Sequence, residues 1–227
     1  LHIEPGVVVG GKIFLSYATA IVSFGIAGEK AWKAIGNAYS FVAFCARSVV
    51  VTGLVLLFFE ILPHYSAGIS EVHFIFGSTL LLIFGEESVA FGFIFGLLIQ
   101  GLFFAPFDLP QYGMNITTLL IPLYLVNYAA QSIISRKTPY RDVKYWQALT
   151  LSLLYQAGIV SWVGFWVAYG KAFNAVLLND VLVFIFSYMS VIIIEPLIDL
   201  VILAVSRSWV RLSENSLVQY RFYHEGV

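Results

Sequence analysis

Apolar runs of bilayer-spanning length follow one another along almost the whole chain, and that succession leaves few folds open. Lipid offers no partner to backbone N–H and C=O groups, so runs of this kind fold as helices that satisfy their own backbone. About 20 apolar residues cross the hydrocarbon core. On that ruler the spacing predicts helices over Val7 to Ala27, Phe41 to Leu62, Val89 to Phe104, Ile116 to Ile134, Tyr145 to Tyr169 and Leu178 to Ser206. A third run in chain order, residues 72–84, is shorter. It gives roughly 20 Å of helix against a core of about 30 Å, so it either stops short of one surface or is buried by its neighbours. Composition agrees: 60% of the residues are hydrophobic and only 11% charged, where a soluble domain carries about 25% charged residues. The expectation is an all-α, polytopic integral membrane protein of about seven helices, one transmembrane domain over residues 1–227, with no internal repeat and no low-complexity linker.

Lys and Arg placement sets the orientation. Lys30, Lys33 and Arg47 flank the first loop; Arg136, Lys137, Arg141 and Lys144 crowd the fifth; Arg207, Arg211 and Arg221 follow the last helix. These sites alternate correctly for one topology, amino terminus outside and carboxyl terminus in the cytoplasm, with only Lys12 and Lys171 elsewhere. The amino terminus, the 63–71 loop and the 105–115 loop then share the outer face and could meet at one outward-facing site. A formal net charge of −1 and the lack of a basic run or nucleotide-binding loop give no reason to expect nucleic acid. Cys45 is the only cysteine, which excludes a disulfide framework and a Cys-based metal site. No basic leader or small-residue cleavage site precedes the first apolar run, so no cleavable signal peptide is expected.

The sequence opens Leu1-His2-Ile3-Glu4-Pro5-Gly6. A histidine one peptide bond from a free amine can close a chelate from the amine, its own backbone nitrogen and its imidazole. Cu(II) and Ni(II) favour planar nitrogen ligation of that kind. The ligands must be unprotonated, so binding weakens as pH falls. The amine of residue 1 serves only if nothing precedes it, and a Leu-type start codon translated as Met would account for the unusual first residue. His73, at the outer start of the short third helix, could supply a fourth nitrogen, because ionisable groups at membrane depth face protein or a cavity. His64 competes for that role; His224 lies in the carboxyl-terminal tail.

Between the fourth and fifth helices the 105–115 loop carries two prolines and a glycine, which forbid a regular helix across it. Metal-bound histidines usually have their second ring N–H held by a carbonyl or carboxylate; Gln100, Asn115 and Asp108, at or beside this loop, are the candidates. The alternative is that the loop simply packs over the bundle. Glu195 and Asp199 form an i, i+4 pair in the last helix, beside Pro196. They suit an ion pathway, polar company for a proline-freed backbone, or a docked helix. No nucleophile elbow and no two-His zinc signature accompany these residues, so no enzyme is expected.

With these features together the chain resembles the CbiM/NikM family, the substrate-binding (S) membrane components of energy-coupling factor (ECF) transporters for cobalt and nickel. Members begin Met-His-Ile, where this chain has Leu1-His2-Ile3. They carry a second histidine ahead of a Gly-rich third helix, here His73 followed by Gly77. Their Gln-Ala-Leu-Leu-Phe-like segment leading to Leu-Gly-x-Asn has its counterpart in Gln100-Gly101-Leu102-Phe103-Phe104 and Tyr112-Gly113-Met114-Asn115. The likeness is closest over residues 1–125. Two departures stand out: Leu at position 1, and Ala105-Pro106-Phe107-Asp108 where typical members have glycines.

The resemblance implies a metal site formed by the amine of Leu1, the amide and imidazole of His2, and His73, with Ni(II) or Co(II) as bound substrate and no organic cofactor. It implies a membrane scaffold (T) component and cytoplasmic ATPases as partners, admits a small membrane accessory subunit, and sets the protein in the bacterial cytoplasmic membrane. The competing expectation is a structural or accessory subunit of another membrane complex.

Overall fold

The computed structural model describes residues 3, 6–63, 65–67, 70–170, 175–208 and 217–226. Its helices are α1 (Ile13–Ala34), α2 (Ala38–Leu56), α3 (Gly77–Phe84), α4 (Glu86–Phe103), α5 (Tyr112–Ile133), α6 (Tyr145–Gly170), α7 (Ala175–Ser208) and the single turn α8 (Tyr220–Tyr223). A two-stranded antiparallel hairpin, β1 (Tyr65–Ala67) and β2 (Ser70–Val72), precedes α3. Among the described residues six helices are long and apolar enough to cross a membrane, and α3 is not one of them. The polytopic all-α architecture expected from the sequence is therefore present.

Small residues set how closely the helices approach. On α4, Gly92 and Gly96 lie against Val51 and Val55 of α2; a Cβ on Gly96 would sit 2.6 Å from Val55 Cγ1. Such small-residue faces let apolar helices pack backbone to backbone where lipid provides no hydrophobic drive. The buried side of α1 is Ser16, Ala20, Ser23, Ala27 and Ala31, spaced along one helical face. It meets α5 so tightly that a Cβ on Gly113 would come within 2.8 Å of the Ser16 carbonyl oxygen. Helix α5 packs on α1, α4 and α6, and α6 in turn packs on α7.

The third helix corrects the sequence expectation of 72–84. Residues 70–72 are strand, residues 73–76 are unwound, and helix begins only at Gly77. Phe76 adopts a left-handed conformation (φ 54°), uncommon for a bulky residue. The cause is non-local. Glu195 of α7 accepts the N–H groups of Ile75 and Phe76 (3.1 Å to Phe76) and a hydrogen bond from Gln156 Nε2. Tyr188 Oη–H donates to Gln156 Oε1 at 2.7 Å. One turn on, Asp199 accepts from Thr79 Oγ1 and from Ser78 Oγ (3.2 Å). The i, i+4 acidic pair thus holds the free N–H end of α3, where acceptors and negative charge are favoured. Gly77 itself lies under the Tyr155 ring, and a Cβ there would overlap it. Helix α3 is wrapped by α4, α5 and α6 and is buried from Gly77 to Leu82.

The 105–115 loop is also more regular than expected. Pro106–Gln111 is a short 3₁₀ helix and α5 already starts at Tyr112. Pro106 sits at its start, where a missing N–H costs nothing. At the basic end of the bundle, Lys30 pairs with Glu86 at 2.9 Å and Arg47 lies 3.9 Å from Glu87. The 217–226 segment tucks back beneath α3: Gln219 Nε2 donates to the Leu81 and Leu82 carbonyls and its N–H to Ile83 O, which supplies partners to the last carbonyls of the short helix.

Candidate metal centre

Strand β2 is where the candidate groups converge. Ser70 pairs with Ala67 in the hairpin and with Ile3 through an isolated antiparallel bridge. The fully buried Ile3 donates its N–H to Asn115 Oδ1 at 2.8 Å. Two backbone contacts from distant parts of the chain therefore fix the residue that follows His2. Leu1, His2 and the competing His64 lie outside the described residues.

Leaving β2, the chain enters His73, 1% exposed. Its Nε2 lies 2.9 Å from Glu71 Oε2, and its ring stacks on Phe59 with centroids 4.6 Å apart and 22° between planes. Alternate residues of an extended segment share a face, which puts Glu71 and His73 on one side of the chain. Phe59 belongs to a π-helical turn, Leu57–Ile61, that ends α2. A carboxylate has acceptors only, so Glu71 takes the Nε2–H of His73. Immediately beyond His73, the Glu195 clamp fixes the unwound turn, so the imidazole projects from a segment held at both ends.

Asn115 and Asp108 line one narrow cleft with Leu97, Gly101, Leu109 and Tyr112. Both are buried. Asn115 Oδ1 accepts the Ile3 N–H, and Glu71 is the carboxylate at the His73 ring. Gln100, in the last turn of α4, is buried, and its Oε1 has no hydrogen-bond partner among the described residues. His224, by contrast, stacks on Tyr220 with centroids 4.2 Å apart at the basic end. Sequence reasoning gave no contact role to Glu71, Phe59 or Ser70. Glu71 was legible, since it stands two residues before His73 in a β-forming stretch. The Phe59 stack and the Ser70–Ile3 bridge carry no local signal.

Among the described residues no three His, Cys, Asp or Glu side chains gather into a metal cage. What the described residues bring to β2 instead is a buried, oriented imidazole and the Ile3 backbone held by Ser70 and Asn115. A family model described as CbiM, the cobalt uptake substrate-specific transmembrane region, matches residues 2–209. The chain belongs to the CbiM family. No curated protein and no solved structure matches it. As a CbiM-family protein it is a multi-pass, substrate-specific membrane component of cobalt uptake, part of a transport system and not of an enzyme family, with cobalt as the transported substrate. The match begins at His2 and runs through β2, His73 and the clamp on α7, so it takes in every described element of the convergence.

Proposed function

We propose that this chain captures Co(II) or Ni(II) at an outward-facing site as the S component of an ECF-type ABC transporter in the bacterial cytoplasmic membrane. The ligands are the amide and imidazole nitrogens of His2 and the imidazole of His73. The amine of residue 1 completes the set in protein whose mature amino terminus is that residue. The observation that carries this reading is the double hold on Ile3, by Ser70 in the strand leading to His73 and by Asn115 on α5. His2 immediately precedes Ile3 in the sequence, so the held residue is the one next to the proposed ligand. Asn115 and Glu71 support the ligands without binding metal, the first through Ile3 and the second through His73. Gln100 and Asp108 border the same outer region as polar lining.

Nitrogen donors suit both metals, and cavity geometry, more than intrinsic affinity, selects between them. The charge pattern supports an outer location for the site and a cytoplasmic one for the basic end. Translocation falls to a membrane scaffold component driven by cytoplasmic ATPases, with a small membrane accessory subunit as a further partner. The test is cobalt and nickel accumulation in cells expressing this chain with its transport partners. Wild type is expected to raise uptake, and His73→Ala to return it to background at equal membrane abundance. Uptake unchanged by His73→Ala would overturn the site, and a chain that copurifies with no scaffold or ATPase would overturn the transporter type.

A further inference from the structure

At the basic end, opposite the metal centre, the bundle holds a cavity of about 660 Å³. Arg47 of α2, Glu87 of α4, Gln131 of α5, Arg136 and Arg221 line it, with Tyr128 and Tyr220 beside them. Its wall is built from parts of the chain far apart in sequence. Gly226 N–H donates to Arg136 O at 2.7 Å and Gln219 fastens to the end of α3, and both residues belong to the lining.

The charge in this cavity is not balanced. Arg47 faces Glu87 at 3.9 Å, whereas among the described residues neither Arg136 nor Arg221 forms an ion pair. Three arginines against one glutamate leave two positive charges in the lining. The Arg221 guanidinium lies 4.4 Å over the Tyr140 ring, and its Nε and Nη2 are buried without a hydrogen-bond partner. Those two nitrogens carry three of the five N–H donors of a guanidinium. Burial pushes the Tyr140 phenol above its usual range, against the opposing pull of Arg221, so the ring stays neutral beneath the cation. A buried polar group left unsatisfied in a native fold calls for an explanation, an unseen ion among them.

From the unbalanced arginines and the unpartnered Arg221 nitrogens we infer that this cavity binds the phosphate headgroup of an anionic phospholipid. Two features favour lipid over a soluble anion. Tyr128 and Tyr220 are 75% and 66% exposed at its mouth, where aromatic side chains mark headgroup depth. The lining joins membrane helices α2, α4 and α5 to the adjoining polar segment, the setting in which basic pockets between helices take phospholipid headgroups. Arginine forks suit phosphate oxygens bidentately.

The test uses the purified full-length protein, delipidated and titrated with phosphatidylglycerol, phosphatidylcholine or inorganic phosphate, with retained ligand read by native mass spectrometry. Wild type should retain phosphatidylglycerol and release phosphatidylcholine. Arg136→Gln removes one surface-proximal charge and should weaken retention about fivefold; its backbone carbonyl still holds Gly226. Arg221→Lys keeps the charge and loses the fork, and should also weaken it. Lys33→Gln, paired with Glu29 away from the cavity, should change nothing, and metal binding should be unaltered throughout, which separates this site from the metal centre. Equal retention of both lipids, or retention unmoved by Arg136→Gln, overturns the proposal. Saturable inorganic phosphate with no retained lipid overturns the lipid assignment.

Discussion

Replacing Glu195 separates a structural clamp from an incidental buried acid. Glu195→Ala strands the N–H groups of Ile75 and Phe76 and leaves Gln156 without its acceptor. Each buried donor left unsatisfied costs about 1–3 kcal/mol. The two backbone donors alone therefore give a loss centred near 4 kcal/mol. At roughly 3 °C per kcal/mol for a chain of this size, the apparent Tm falls by about 12 °C. Glu195→Gln behaves differently. Its remaining carbonyl oxygen can serve both backbone donors, and Gln156 can turn its amide over so that Tyr188 becomes the acceptor. The expected change is about 1 kcal/mol or less. Thermal unfolding in detergent, followed by tryptophan fluorescence, reads both variants. Because residues 75 and 76 follow His73 directly, Glu195→Ala should also weaken cobalt binding while Glu195→Gln retains it. An alanine variant as stable as wild type, or a glutamine variant as damaged as alanine, would refute the clamp.

Three further outcomes follow from particular contacts. Gly96→Leu forces a side chain into Val55 and should cost about 1–3 kcal/mol by overpacking, measured by thermal unfolding and partly restored by adding Val55→Ala. Glu71→Gln removes the carboxylate at His73 Nε2 and should weaken Co(II) affinity about 10–100-fold, seen by calorimetric titration with the fold intact. Asn115→Ala releases the Ile3 N–H, a loss of about 1–3 kcal/mol, and should weaken metal binding, whereas Asn115→Asp keeps the acceptor and most of the affinity.

The spans were legible because each carries its own apolar run, although α2 begins at Ala38, behind an Asn37–Ser40 capping box, and not at Phe41, as its apolar run suggested. The 72–84 segment was not. Its apolar residues read as helix, but Glu195, 120 residues from Ile75, takes the N–H groups at the turn, and no local pattern reports that. In the 105–115 stretch the two prolines were seen correctly as breaking an α-helix, yet a 3₁₀ run accommodates them. At the candidate centre, His73 was singled out because an ionisable residue at a membrane helix end is costly. Asn115 was singled out as a partner for imidazole, and in the structure its Oδ1 accepts the Ile3 N–H. Its carbonyl could serve either, and only the path of the chain decides.

The measurement closest to the central claim is Co(II) and Ni(II) titration of detergent-purified protein whose amino terminus has been verified by mass spectrometry. Matched samples carry His2→Ala, His73→Ala, His224→Ala, or two extra residues ahead of position 1. The account predicts one equivalent of metal for wild type and for His224→Ala, and loss of most binding in the other three. Stoichiometric binding retained by His2→Ala or His73→Ala would contradict it.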